Sequence, residues 1–369
     1  IMSMHTPETI FAMYGLNYIG AVANMVYLTL STEEIVHTVA TTESKLLLVL
    51  NSALEKVEAI KGSIPCPIVV LSITDSLPAH MKLGYYLKAK PKKHSFLTWK
   101  HFLAKATKLA PMSTDHAAPA VIVYTSGTTG EPKGVVLSSD NIYALACQFL
   151  ISGFKFGRGE TFLDFIPTFL GYGIGMIATA LGAGLDTTLW IILEPKAVSD
   201  AFERLKPNHI EIGVAFMTEF SYSVCNNLHN ATKEGSIGVP FPKANVKVLD
   251  EKTNIEIGYG RIGEICFSAP NMMLEYFKNP TATNDIISVD AYGQRWLKTG
   301  DLGYIDEEGF VFFQGRIKRI YYTRLEDGTV MRLFPRRIEE FLESQSQVDM
   351  CGVVIKDHDT RIVDAIAFI

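Results

Sequence analysis

Apolar positions in the first half of the chain recur in two alternating rhythms. Residues 6–21 carry them at helical spacing behind Thr6-Pro7-Glu8, which places threonine as the cap and proline in the first turn of an amphipathic helix. Ser31-Thr32-Glu33-Glu34 opens a second helix. Residues 45–50 and 67–71 are short, continuous apolar runs of the kind that form buried strands. Strands alternating with helices predict α/β layers with a largely parallel sheet. From Gly235 the texture changes. Residues 246–250, 263–268, 295–298 and 310–314 are short runs separated by turn residues, which predicts a small antiparallel or barrel-like β unit. Beyond Gly315 the chain becomes charged, a helix starts at Pro335 with Ile338, Phe341 and Leu342 on one face, and 351–355 and 363–369 read as strands. The predicted class is α/β: a large N-terminal domain over residues 1–315, made of layered subdomains and the β unit, then a small α+β domain over 316–369. The second contains only about fifty residues, short for an independent core.

One apolar stretch is long enough to raise a different question. Residues 165–185 hold no charged side chain, a length that can span a bilayer. Pro167 and the glycines at 171, 173, 175, 182 and 184 argue against a span. A buried helix and strand beside a ligand pocket are expected instead, with no transmembrane segment.

Composition narrows the class of function. With 48% hydrophobic and 20% charged residues the chain is expected to fold, and its net charge of −5 argues against a nucleic-acid partner. Five cysteines, at 66, 147, 225, 266 and 351, form neither a C-x-x-C pair nor a cluster with histidine. They suggest no disulfide framework and no zinc site, and fit a reducing, cytoplasmic setting. No secretory signal pattern opens the chain.

The densest chemistry lies at Tyr124-Thr125-Ser126-Gly127-Thr128-Thr129-Gly130-Glu131-Pro132-Lys133-Gly134, directly behind the apolar residues 120–123. Glycines let the backbone turn and present its N–H groups; the hydroxyls and Lys133 add donors and one compact positive charge. Such a loop is suited to phosphate oxygens. It is not a Walker A loop, because Pro132 precedes the lysine and Gly134 follows it. Three further pieces follow in order: Met217-Thr218-Glu219, then Lys298-Thr299-Gly300-Asp301-Leu302-Gly303, then Gly315-Arg316. One carboxylate suits ribose hydroxyls, another a magnesium ion, and the cations suit phosphate charge.

These four pieces in this order resemble the acyl-adenylate-forming superfamily of acyl-CoA synthetases, peptide-synthetase adenylation domains and luciferases. The likeness extends through residues 240–250, Gly263-Glu264-Ile265 and residues 274–280. It implies two steps, attack of a small-molecule carboxylate on the α-phosphorus of ATP and transfer of the acyl group to a thiol, usually that of coenzyme A. It further implies that Thr125, Ser126, Gly127, Thr128, Thr129, Gly130 and Lys133 hold the β- and γ-phosphates. Thr218 would meet the α-phosphate, Glu219 the Mg²⁺, Asp301 the ribose hydroxyls, and Arg316 the ribose and phosphate end. Lys318 falls at the hinge before a mobile C-terminal domain, and the segment Phe169-Leu170-Gly171-Tyr172-Gly173 matches the acid pocket.

The chain departs from the family pattern at several points. Alanine (Ala215) stands where an aromatic residue usually stacks on adenine, which leaves that role to Phe216. Only Glu211 separates Ile210 from Ile212, where relatives carry a long run before the T-E motif. Loss of that much core is hard to reconcile with stability, so the sequence is read as skipping residues there. The C-terminal catalytic lysine of relatives has no counterpart up to Ile369, and residues 321–333 exceed the usual glycine-containing loop. Leu170 replaces a frequent histidine, and the absence of an aspartate nearby favours an apolar acid, fatty or aromatic. The expected activity is therefore an AMP-forming acyl-CoA synthetase. Loading of a carrier protein, and a non-catalytic nucleotide-binding role, stand as the alternatives.

Overall fold

In the computed structural model of the chain, Thr6 caps the first helix, Pro7–Tyr18, by accepting from the Thr9 amide. Residues 1–88, 94–105, 115–125, 132–190, 194–210, 217–221, 224–226, 232–319, 321–324, 330–333, 335–345, 347–348, 350–357 and 363–368 are described. The buried face of this helix is not its most apolar one. Glu8, Thr9, Ala12 and Met13 face inward while Phe11 is 63% exposed. Burial of the polar pair is compensated in part: the Thr9 hydroxyl bonds Ser3 Oγ and the Met4 carbonyl, and Ser76 donates to Glu8 Oε1, while Glu8 Oε2 has no hydrogen-bond partner among the described residues. The second helix, Thr32–Thr41, begins with the reciprocal Ser31–Glu34 capping box.

The chain divides into two compact units, one of Ile1–Ser223 with Pro270–Thr281, the other of Val224–Ala269 with Ala282–Ile369. In the first, strands Leu47–Leu50, Ile68–Leu71 and Leu97–Thr98 form a parallel sheet. Its core packs Met2, Val26, Ile35, Val39, Leu47, Val49 and Val57. A second parallel sheet orders Asp186–Leu189, Thr161–Asp164 and His209–Ile210. The third sheet is mixed rather than parallel. Ala23–Asn24 runs parallel to Pro119–Tyr124, but Gly134–Ser138 and then Glu275–Tyr276 add antiparallel. The reason is loop length: parallel neighbours need a crossover of a dozen or more residues, and the segment between Tyr124 and Gly134 is too short for one.

The uncharged stretch 165–185 becomes a turn and the helix Gly171–Ala183, buried from Gly171 to Ala180 and ended by Gly184 at φ +70°. Glycine is required within it. A β-carbon at Gly173 would lie 2.4 Å from the Ile166 carbonyl oxygen, and one at Gly175 would lie 2.5 Å from Leu145 Cδ2. Among the described residues no helix is long and apolar enough to cross a membrane.

In the second unit Asn245–Leu249, Gly263–Ser268, Arg295–Ile305 and Ile287–Val289 pair in that order, and Val311–Arg316 joins Arg295–Ile305, all antiparallel. Arg295–Ile305 runs well past the predicted 295–298. Gly300 and Gly303 weaken its signature in the sequence, yet Gly303 belongs there, because a β-carbon would sit 2.1 Å from the Phe312 carbonyl oxygen. The helix Pro335–Glu343 and the antiparallel pair Gly352–Asp357 and Val363–Phe368 complete this unit.

Candidate active site

The Gly/Ser/Thr loop joins two antiparallel strands, where a Walker A loop would lead from a strand into a helix. Its neck is closed twice. The Thr125 amide donates to the Lys133 carbonyl at 3.0 Å, and the Lys133 amide donates to Thr125 Oγ1 at 3.2 Å. Below them Tyr124 pairs with Gly134. Gly134 is tightly enclosed: a β-carbon would meet Ile122, Phe277 and the Tyr124 ring at 3.0–3.4 Å, and these side chains would have to give way. Ser126, Gly127, Thr128, Thr129 and Gly130 lie outside the described residues, as does Phe216.

Thr218 and Glu219 sit in a short 3₁₀ turn, Thr218–Phe220, followed by Ser221 in the left-handed region at φ +48°. The segment before Pro280 holds this turn in place. Asn271 donates to the Phe220 carbonyl at 2.6 Å, Ser221 donates to the Asn271 carbonyl at 3.0 Å, and the Met273 amide donates to the Glu219 carbonyl at 2.6 Å. The same segment then pairs with the loop's outgoing strand, Tyr276 opposite Val135 and Glu275 opposite Val136.

That register places Tyr276 between two of the expected site residues. Its hydroxyl donates to Glu219 Oε1 at 2.6 Å, and its ring lies 4.9 Å beneath the Lys133 ammonium. Tyr276 itself is only 5% exposed. Burial first, then the Glu219 charge and hydrogen bond, push its phenol far above the ordinary range, so it stays protonated and remains a donor. Sequence reading assigned Tyr276 no role. No spacing along the chain links 133, 219 and 276; only the strand pairing does.

The acid-pocket segment starts beside the same turn. A β-carbon at Gly171 would stand 3.9 Å from Thr218 Cγ2 and 3.8 Å from Val123 Cγ2. Phe169 and Leu170 are half-buried, while Gly171, Tyr172 and Gly173 are buried. Phe169 packs edge-on against Tyr27, ring centroids 4.9 Å apart, and Tyr27 donates its hydroxyl to the Tyr124 carbonyl at 2.8 Å. Tyr27 thus ties the pocket segment to the base of the loop, a second contact without a signal in the sequence. Burial pushes the phenol of Tyr124 up to about 12.

In the second unit Asp301 and Arg316 are direct cross-strand partners, with Arg316 Nε 2.8 Å from Asp301 Oδ1. The Asp301 side chain is 14% exposed and that of Arg316 47%. The strand irregularity at Gly300, φ +71°, is pinned by the Thr299 hydroxyl, which donates to the Ile265 carbonyl and accepts from the Asp301 amide. The Gly300 amide donates to Glu264, whose carboxyl is raised above the usual range by burial. Lys318 is exposed in the 3₁₀ turn Ile317–Arg319 that follows Arg316.

Known proteins align with nearly the whole chain. A long-chain-fatty-acid–CoA ligase of Bacillus subtilis (strain 168) is 24% identical, covering 96% of this chain and 73% of the relative. A 2-succinylbenzoate–CoA ligase of Bacillus cereus (strain Q1) is 27% identical over 94% of this chain and 73% of the relative. The crystal structure of ATP-bound MatB from Rhodopseudomonas palustris has the same fold, with a TM-score of 0.78 over 98% of this chain and 76% of that one at 20% identity. The first alignment runs to 421 positions, so it passes more than fifty residues of the relative that have no counterpart here. The match to the family of AMP-binding enzymes covers residues 1–212 and 216–277, breaking close to the short junction after Ile210. By that match the chain belongs to the AMP-binding enzyme family.

Proposed function

We propose that this protein is an ATP-dependent acid–coenzyme A ligase that activates an apolar carboxylic acid, fatty or aromatic. The observation that carries this reading is the convergence of Lys133 and Glu219 on Tyr276, beside a turn whose Thr218 abuts the buried, uncharged start of the helix Gly171–Ala183. A carboxylate oxygen of the acid attacks the α-phosphorus of ATP, the bond to the bridging oxygen breaks, and pyrophosphate leaves. A thiol sulfur then attacks the acyl carbon and AMP departs. No protein nucleophile is needed; the chain's residues position the reactants and neutralise charge.

Thr125, Ser126, Thr128, Thr129 and Lys133, with Gly127 and Gly130 as turning points, take the β- and γ-phosphates. Thr218 takes the α-phosphate and Phe216 the adenine. Asp301 accepts the ribose hydroxyls, and Arg316 both orients Asp301 and meets the ribose and phosphate end. Glu219 suits Mg²⁺: it is a half-buried carboxylate with one oxygen held by Tyr276 and no hydrogen-bond partner for Oε2 among the described residues. Magnesium commonly binds through one or two carboxylates together with substrate phosphates, so a single Glu219 is an adequate protein contribution. When bound, the ion supplies charge neutralisation at the phosphates. Phe169, Leu170, Gly171, Tyr172 and Gly173 start the acid pocket. Residues 1–315 form the adenylate-forming core and 316–369 begin a C-terminal part that turns about Lys318 between the half-reactions. The five cysteines form no disulfide among the described residues, which fits a cytoplasmic setting.

The test is pyrophosphate release across a panel of fatty, aromatic, amino and dicarboxylic acids, with coenzyme A or a phosphopantetheinylated carrier protein as the thiol. Release with apolar acids and thioester formation on coenzyme A are expected. Turnover confined to charged acids overturns the pocket assignment, and transfer to the carrier alone replaces coenzyme A. Absence of release with every acid supports a nucleotide-binding role without catalysis.

A further inference from the structure

We propose that Tyr276 is a positioning residue that sets the Glu219 carboxylate with its hydroxyl and seats the Lys133 ammonium with its ring. The inference rests on the proposed roles of Glu219 and Lys133. Three observations carry it. The hydroxyl donates to Glu219 Oε1 at 2.6 Å, so one oxygen is fixed while Oε2 is left for the ion. The ring face lies 4.9 Å from Lys133 Nζ, within cation–π range. Pairing of Tyr276 with Val135, two residues beyond Lys133, makes the second contact a consequence of strand register. The Met273 amide, three residues earlier, holds the Glu219 backbone, so one short segment sets both the main chain and the side chain of the expected metal ligand.

A donor behind a metal ligand orients it, and loss of such a partner typically weakens metal affinity or activity by about 10–100-fold. A ring under an exposed ammonium contributes less, about 0.5–1 kcal/mol, or roughly two- to fivefold in affinity. The two functions of Tyr276 are therefore separable by substitution. Tyr276→Phe removes the hydroxyl and keeps the ring; Tyr276→Leu removes both.

The experiment uses Mn²⁺ as a paramagnetic probe, titrated by electron spin resonance into the full chain with ATP present and acid absent. ATP affinity is measured separately at saturating Mn²⁺. Tyr276→Phe is expected to weaken Mn²⁺ binding by about tenfold or more, with ATP affinity within about twofold and melting temperature within about 5 °C of the parent. Tyr276→Leu is expected to lose ATP affinity as well, by roughly two- to fivefold. Mn²⁺ binding by Tyr276→Phe equal to that of the parent overturns the role of the hydroxyl, and a lowered melting temperature without a change in Mn²⁺ binding shows a merely structural tyrosine. Equal ATP affinities for the Phe and Leu variants overturn the role of the ring. Glu219→Gln in the same titration separates the two layers. If it binds Mn²⁺ normally, the metal assignment itself fails; if it is weak while Tyr276→Phe is normal, only the tyrosine's role falls.

Discussion

Lys133 and Glu219 in the first unit, and Asp301 and Arg316 in the second, are both pairs of opposite charge, but they are built differently. Asp301 and Arg316 touch directly across adjacent antiparallel strands, with the arginine side chain 47% exposed. Lys133 and Glu219 instead meet through a third residue, Tyr276, that is 5% exposed and lies far along the chain from either. A direct, solvated ion pair contributes little by itself, because water screens it and the arginine stem loses freedom in making it. A hydroxyl buried away from water holds a carboxylate more firmly. The second pair is therefore expected to tolerate conservative change that the first does not.

The comparison predicts a ranked series. Glu219→Gln, which keeps size and removes charge, is expected to lower kcat/KM for pyrophosphate release on the order of 10²–10³-fold, with excess Mg²⁺ restoring little. A loss under tenfold would remove Glu219 from the metal site. Lys133→Met comes next, since hydrogen bonds to charged groups are worth about 1.5–3 kcal/mol, or roughly 10–10²-fold, read as a rise in KM for ATP together with a fall in kcat. Asp301→Ala is expected to lose a similar or somewhat smaller factor, about tenfold or more, chiefly in ATP affinity. A useful control is that 2′-deoxy-ATP should be used by Asp301→Ala nearly as well as ATP. Undiminished pyrophosphate exchange in Asp301→Ala would falsify the ribose assignment.

The smallest effect belongs to the exposed partner. Arg316→Lys, which keeps the charge and forfeits the planar fork, is expected to change activity only a few-fold, in line with about 0.2–1 kcal/mol for an exposed pair. A loss as large as that of Lys133→Met would show that Arg316 carries as much of the phosphate charge as Lys133 and that the contrast between the two pairs is wrong. Double-mutant cycles sharpen the point. Lys133 and Glu219, though not in contact with each other, should couple in ATP turnover through Tyr276, by about 0.5 kcal/mol or more, and that coupling should vanish in a Tyr276→Leu background. A separate check concerns stability. Gly173→Ala places a methyl group against the Ile166 and Pro167 carbonyls and is expected to cost about 1–3 kcal/mol, read as a lowered midpoint in urea unfolding.

Much of the frame was legible because its signals are local. Caps at Thr6 and Ser31, the apolar runs that became Leu47–Leu50 and Ile68–Leu71, and the turn-punctuated strands after Gly235 all use residues within one element. Where local signals mislead, neighbours overrode them. Gly300 and Gly303 made half of Arg295–Ile305 read as a turn, although Gly303 is required by the closeness of Phe312. The helix Pro7–Tyr18 buries Glu8 and Thr9 against distant Ser76 and nearby Ser3, and an apolar-periodicity argument cannot see those partners.

The sequence by itself determined which chemical groups are on offer. The loop at 124–134, Thr218-Glu219, Asp301 and Arg316 hold the donors and charges that the proposed adenylation would use, and no three-dimensional information is needed to list them. Tertiary structure decided how they are held. Antiparallel pairing put Tyr276 opposite Val135 and thereby under Lys133; the clamp from Asn271 to Met273 fixed the Glu219 turn; cross-strand register paired Asp301 with Arg316. The physical reason is that a residue type announces what it can donate or accept, whereas its orientation is set by hydrogen-bond ladders between segments remote in sequence, whose register no single segment encodes.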